Sequence, residues 1–181
     1  MSDLPYSHSK SAVSESCNSI NEPDFESIRE IIITDKPFDL SILNGKVQSS
    51  NGEYGASVIF TGNVRVSNEE EGIVGMTLEH FPGMTETLLT EIVDKAISRW
   101  GIKRAIVAHR IGYLTAGQPI VFVGACGLHR KEAFEAAQFI MDYLKNKATF
   151  WKKEHYVTDG KPVDVWVESK QSDRDSLQRW E

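Results

Sequence analysis

The sequence predicts an α/β sandwich, a mainly antiparallel sheet with helices packed on one face. Three features carry that reading. Two long stretches, 82–100 and 130–147, repeat apolar residues at helical spacing. Short β-branched and aromatic runs lie before, between and after them. Turn signals at Asn44-Gly45, Gly101, Gly112 and Asp159-Gly160 separate the pieces. No internal repeat or second block of composition appears, so residues 29–181 read as one domain behind a flexible extension over 1–28.

The elements follow in chain order. Residues 1–28 are rich in Ser, Asn, Glu and Pro and lack the apolar groups that would offset the entropy of ordering. Glu30-Ile31-Ile32-Ile33-Thr34 is a β-branched strand. Asp39 is placed to cap a short helix, or Pro37 to start it, and Asn44-Gly45 to end it. Residues 48–55 form a polar loop. The next strand, 55–65, carries Val58-Ile59-Phe60, a run that suggests burial on both faces. An acidic loop with Glu69, Glu70 and Glu71 follows, then a strand over 73–81 that pairs with its predecessor as a hairpin. Pro82 sits in the first turn of the first long helix, whose buried stripe is Leu88, Leu89, Ile92, Val93, Ala96, Ile97 and Trp100. Gly101 stops it. Residues 105–111 form a strand with His109 as a structural histidine that has no evident partner. Residues 112–118 turn the chain into the strand 119–126. The helix Arg130–Lys147 buries Ala133, Ala137, Ile140 and Leu144, with Ala136, Phe139 and Tyr143 beside them. Phe150-Trp151 returns to extended chain, and 163–168 alternates like a strand with one wet face. Trp180, alone in a polar tail, is pinned to the body or to a partner.

Bulk properties exclude several classes of function. A net charge of −6 and a pI near 5.4 argue against a general nucleic-acid binder. No apolar run approaches the roughly 20 residues of a membrane span. Residues 1–19 lack the apolar core of an export signal, which points to the cytoplasm. Cys17 and Cys126, far apart, read as reduced thiols. Neither Cys-x-x-Cys nor His-x-x-x-His occurs, and the glycine-rich nucleotide loops are missing, so no metal or cofactor is expected.

Against that acidic background, residues 129–154 hold six Lys or Arg and four acids. A local excess of positive charge on an acidic chain suggests a site for an anionic ligand, although a solvated helix face has the same composition. His129 and Arg130 stand at a strand-to-helix junction, where backbone N–H groups favour an anion and an Arg adds a planar fork for phosphate. Lys145 follows the buried Leu144 in the last helical turn. It reads either as a cation complementing the helix dipole or as a lysine free to transfer a proton or attack. Lys152, next to Trp151, either covers a flat ligand or lies along the indole. Arg65 emerges at a strand end after Gly62, as an ordinary surface arginine also would. Cys126 sits in an apolar strand and reads as inert.

Several separated motifs in order give the chain a family resemblance. They are Phe60-Thr61-Gly62-Asn63-Val64-Arg65, Leu78-Glu79-His80-Phe81-Pro82-Gly83-Met84, His109-Arg110-Ile111-Gly112, Val121-Phe122-Val123-Gly124, His129-Arg130, Phe139-Ile140-Met141-Asp142-Tyr143-Leu144-Lys145 and Phe150-Trp151-Lys152-Lys153-Glu154. From about Gly55 to Trp180 the chain resembles the large, catalytic subunit of molybdopterin synthase. The resemblance implies a hammerhead-type α/β sandwich with a small extra β-subdomain, and a homodimer at the core of a heterotetramer. It implies a small ubiquitin-like partner whose C-terminal Gly-Gly carries a thiocarboxylate. That tail would donate sulfur to cyclic pyranopterin monophosphate, forming the dithiolene of molybdopterin. By similarity Lys145 and Lys152 are the catalytic lysines. Asn63, Val64, Arg65, His129, Arg130, Lys153 and Glu154 are the substrate-binding residues, part of each pocket coming from the neighbouring subunit. Thr149 departs from the family's proline before the aromatic and is expected to loosen the turn that sets Lys152, with tolerance rather than loss. Three rival readings remain: a persulfide carrier using Cys126, an adaptor that docks a ubiquitin-like protein without chemistry, and a Schiff-base lysine enzyme.

Overall fold

The computed structural model describes residues 27–48, 52, 54–65, 73–167 and 171–181. Nearly all of the expected 1–28 extension, the loop with Glu69, Glu70 and Glu71, and Cys17 lie outside the described residues. Ile28 already belongs to the first strand, so the domain begins slightly earlier than its expected boundary.

The order is β1 (Ile28–Thr34), α1 (Leu40–Val47), β2 (Ala56–Asn63), β3 (Ile73–His80), α2 (Met84–Trp100), β4 (Arg104–Arg110), β5 (Gly112–Thr115), β6 (Pro119–Gly127), α3 (Arg130–Lys147), β7 (Phe150–Thr158), β8 (Lys161–Val167) and α4 (Gln171–Leu177), ending in a 3-10 turn at Gln178–Trp180. The strands form two four-stranded sheets, β1-β4-β6-β2 and β5-β3-β7-β8. Among the described residues, only the β1–β4 pairing is parallel.

The mainly antiparallel α/β sandwich therefore holds, and the second sheet is the small β-subdomain. The hairpin expected between β2 and β3 does not form. β2 pairs with β6 at the edge of the first sheet, whereas β3 lies between β5 and β7 in the second. Adjacent strands pair often but not always. Here β3 finds its apolar partners elsewhere: Met76, Leu78 and Leu114 make a buried cluster with Val64. The edge position of β2 also corrects the reading of Val58-Ile59-Phe60. Ile59 is 37% and Phe60 43% exposed. Residues 112–118 are not only a turn, because the first four form β5.

α2 and α3 cover one face of the first sheet. Leu89, Ile92, Val93 and Ala96 from α2 meet Ala136, Ala137, Phe139, Ile140 and Leu144 from α3 over Val107, Val121 and Val123. α2 starts at Met84, two residues past Pro82, with the Glu86 carboxylate accepting from the Gly83 N–H at 2.6 Å. Gly101 ends it as expected, in the left-handed conformation at φ 61°, its N–H donating to the Ile97 carbonyl. The helices are not confined to that face. α1, capped by Asp39 as predicted, runs through Asn44-Gly45 to Val47 and lays Leu43 and Val47 on Ile106, Ala108, Phe122 and Cys126 from the opposite side. That packing needs a glycine beneath it: a Cβ on Gly124 would meet Val47 Cγ2 at 2.2 Å.

Trp180 is pinned to its own chain. Its indole meets Trp100 and Phe139 edge-on, each with centroids 5.5 Å apart, and its Nε1 donates to Asp142 at 2.9 Å. The polar tail before it, with no helical signal in the reading above, contains α4. Among the described residues, no helix is long and apolar enough to cross a membrane.

Candidate active site

The two candidate lysines hang on one corner of the fold. α3 ends at Lys147, β7 starts at Phe150, and only Ala148 and Thr149 connect them. Phe150 fixes this corner against the first sheet. Its ring stacks on His109 with centroids 3.9 Å apart and an interplanar angle of 16°. His109 is thus structural, as expected, but it does have partners: Phe150 on its face and the Arg110 carbonyl 2.8 Å from Nδ1. Burial pushes its pKa down to about 4, against the opposing pull of that carbonyl, and the nearby His80 lowers it further.

Thr149 does not leave the corner loose. Its hydroxyl lies 2.8 Å from that of Thr85, a fully buried residue of α2 whose Oγ1 also donates to the Phe81 carbonyl. Two hydroxyls hold the position where a ring was expected.

Lys145 is more exposed than an apolar wall would leave it. Its side chain is 54% exposed and its Nζ lies 3.5 Å from Asp173 Oδ1 of α4. α4 is tied on by Asn146, whose Nδ2 donates to the Asp173 carbonyl at 2.6 Å. Lys152 does not lie along Trp151, because neighbours on a strand face opposite ways. Its Nζ instead pairs with Glu154 Oε1 at 2.8 Å, and the other oxygen of Glu154 accepts from Tyr156. Lys153 faces the other side of β7, 3.8 Å from Asp164 and 5.2 Å from the centroid of Trp166.

Arg65 shares the lysines' end of the molecule. β2 runs antiparallel to β6 with Asn63 opposite Pro119, and the Val64 N–H donates to the Gln118 carbonyl. His109, beneath Phe150, pairs with Val121 at that same end of β6. Asn63 and Arg65 are exposed. Val64 is 3% exposed, and its carbonyl accepts from Gly117, so it anchors the strand end from which Arg65 projects.

His129 and Arg130 lie at the opposite end. His129 is the N-cap of α3, extended and without a side-chain capping bond, and both residues are exposed. Lys145 lies fifteen positions along the helix from Arg130, about 22 Å at roughly 1.5 Å per residue. One chain thus groups Asn63, Arg65, Lys145, Lys152 and Glu154 at one end and sets His129 and Arg130 at the other.

Three groups were missed by sequence reasoning: Asp173, Tyr156 and the polar file on the outer face of the second sheet. In that file His155 links Asp164 through Nδ1 and Thr77 through Nε2, both at 2.7 Å. The hydrogen bond from His155 is the main cause that lowers the Asp164 pKa. Thr77 sits on an interior strand whose backbone N–H groups are used by the ladder, so the file ties β3, β7 and β8 together and offers no oxyanion hole. A hollow of about 370 Å³ lies between α3 and α4, lined by Gln138, Asp142, Ser172, Asp175, Ser176 and Arg179. Two carboxylates against one arginine make it a poor seat for a phosphate. Cys126 is 2% exposed, and burial pushes its thiol pKa up, partly offset by Arg104, so it lacks the stabilised thiolate of a persulfide carrier. Among the described residues, no group of three or more His, Cys, Asp or Glu side chains could hold a metal ion.

The chain is a two-sheet α/β domain with cations gathered at a helix–strand corner and more at a distant helix start, an arrangement suited to an anionic ligand. A family model described as MoaE protein matches residues 33–147. The molybdopterin synthase catalytic subunit of Escherichia coli (strain K12) is 53% identical over 128 residues, covering 71% of this chain and 83% of that one. Among solved structures, the molybdopterin biosynthesis MoaE protein of Burkholderia ambifaria MC40-6 superposes with a TM-score of 0.69 at 37% identity, over 84% of this chain and 98% of that chain. A protein–protein complex of subunits 1 and 2 of molybdopterin-converting factor from Helicobacter pylori 26695 shares the fold, with a TM-score of 0.61 at 22% identity over 78% of this chain and 91% of that chain. The chain belongs to the MoaE family, the catalytic subunits of molybdopterin synthase, and is an enzyme subunit of molybdenum cofactor biosynthesis.

Proposed function

We propose that this chain moves two sulfurs, one from each of two C-terminal thiocarboxylates of a small ubiquitin-like partner, onto cyclic pyranopterin monophosphate, each spent partner leaving with its carboxylate restored by water, and so builds the dithiolene of molybdopterin in the cytoplasm. The observation that carries the reading is the α3–β7 corner of a MoaE-family fold, where Lys145 and Lys152 sit on adjoining element ends with Arg65 nearby. Lys145, at the last turn of α3, donates or accepts protons and stabilises the oxyanion that forms as sulfur leaves the partner's carbonyl. Lys152, held by Glu154, grips and polarises the pterin. Arg65 supplies a fork for the phosphate. Asn63 and Val64 shape the same strand end, and Lys153 braces β7 from its far face. The acyl donor brings its own sulfur, so no cysteine of this chain takes part.

His129 and Arg130 enter from a second copy. β2 is an edge strand with Ile59 and Phe60 exposed. Pairing two β2 edges antiparallel about a two-fold axis sets the Ala56 end of one against the Asn63 end of the other. Ala56 lies opposite Gly127, and Gly55 packs on the Leu128 backbone, immediately before His129. The same operation therefore carries His129 and Arg130 of one copy towards Arg65 of the other. With one small partner per copy, the assembly is a heterotetramer, in keeping with the two-subunit complex from Helicobacter pylori.

The test is reconstitution. The chain, a thiocarboxylated small partner and the pterin should yield dithiolene product. Lys145→Ala should abolish turnover while leaving the fold and partner binding intact. Near-normal turnover in that variant would end the assignment, and partner binding without product in the native chain would make it an adaptor.

A further inference from the structure

The strand β7 presents Lys152, Glu154 and Tyr156 on one face, two residues apart. Their cross-strand neighbours on β3 are Leu78, Met76 and Ile73, all buried. Their neighbours on β8 are Val167, Val165 and Val163. Three polar side chains thus run as a file between two apolar ones. The β3 flank is dry and the β8 flank half open, with Val165 45% and Val163 42% exposed, and on the dry side the three polar groups satisfy one another. They do so in order. Lys152 pairs with Oε1 of Glu154, and the Tyr156 hydroxyl donates to Oε2. The Glu154 side chain is only 14% exposed, against 35% for Lys152.

We propose that Tyr156 is a positioning residue for the sulfur transfer: its phenol fixes the plane of the Glu154 carboxylate, and that carboxylate fixes where the Lys152 ammonium stands. A carboxylate with one oxygen bound rotates about its last torsion, whereas one with a separate donor on each oxygen does not. Lys152 sits on a flexible stem of four carbons. Its partner therefore decides how much of its freedom is already spent before substrate arrives, and small misplacements of a reacting group cost rate. Tyr156 reaches neither pterin nor sulfur in this account and acts only through Glu154. The inference rests on the assignment of Lys152 to the reaction made above.

The experiment has two readouts. The first is the pH profile of Lys152 labelling by an amine-reactive acylating reagent, read by mass spectrometry on the full-length chain without substrate. The second is turnover in the reconstituted synthase. Tyr156→Phe keeps the ring against Ile73 and Val163 and removes only the donor. It should displace the Lys152 labelling profile and lower kcat about 3- to 10-fold, the range for one lost hydrogen bond. KM for the pterin should stay within about twofold. Glu154→Gln should displace the same profile, and adding Tyr156→Phe to it should change nothing further. An unchanged labelling profile in Tyr156→Phe, or full additivity in the double variant, overturns the proposal. Because labelling needs no substrate, a native chain that makes no product sinks the functional reading and leaves the test of Tyr156 standing.

Discussion

The two ends of α3 are built on different terms. At its C-terminal end the chain supplies everything that holds the candidate groups: Asp173 beside Lys145, Glu154 against Lys152, the Thr85–Thr149 hydroxyl pair and the His109–Phe150 stack. At its N-terminal end His129 and Arg130 stand exposed, and the N-cap makes no side-chain bond. On the proposed two-copy arrangement, the first of these half-sites is the one kept and the second the one lent. The bare end is where orphan N–H groups and an arginine can still be satisfied by an anion.

Mixing defective chains breaks or sharpens that contrast most forcefully. Lys145→Ala and Arg130→Ala should each lower turnover about 100-fold or more when present on both copies. Co-assembled in equal amounts, they should recover about a quarter of native activity, because half the dimers are mixed and each mixed dimer has one intact site of two. Activity that stays at the level of the separate variants would mean that each pocket is complete within its own chain.

A smaller effect concerns acid. The His109 pKa is lowered to about 4 from 6.5, so between those values the unfolded chain takes up a proton that the folded chain refuses. The contribution of His109 to stability is therefore full above about pH 6.5 and is lost as pH drops towards 4, about 3 kcal/mol in all. Denaturant titrations across this range should show that slope, and His109→Phe, which keeps a ring against Phe150, should flatten it. If the corner is what His109 holds, hydrogen exchange at Phe150 and Trp151 should rise with acid before exchange at His129 does.

The smallest effect belongs to Thr149. Thr149→Val removes one of two paired hydroxyls while Thr85 keeps the Phe81 carbonyl. A loss of about 1 kcal/mol in thermal or denaturant unfolding is expected. Turnover should change less than stability does. A larger fall in turnover than in stability would show that the hydroxyl pair aims Lys152 rather than merely tethering the corner.

What could be read from the sequence follows from the range of each force. α3 was legible to the residue, because Ala133, Ala137, Ile140 and Leu144 repeat at one period and its apolar face faces one layer. The exposure of Ile59 and Phe60 was not, since an apolar run looks alike in the middle of a sheet and at its edge. Whether β3 joins β2 or β7 depends on contacts some 80 residues apart, beyond any local pattern. The cationic candidates were visible as residue types, and the family motifs implied their roles. Their division between two ends of one helix already follows from the helix Arg130–Lys147 read in the sequence, whereas the groups each cation meets did not. Asp173 and Tyr156 carry no signal of their own, and each matters through a lysine it touches in three dimensions.

Trp180 sits in an aromatic cluster with Trp100 and Phe139, and the residues just before it carry Asp173 to Lys145. The ionic surroundings of that amine are thus set from the far end of the polypeptide, in a segment that shares no strand with the corner. Substitutions in this stretch can tune the amine over evolutionary time while the core of the domain is left alone. If Lys145 acts as proposed, a homologue with a different final helix would run the same chemistry with a differently dressed lysine.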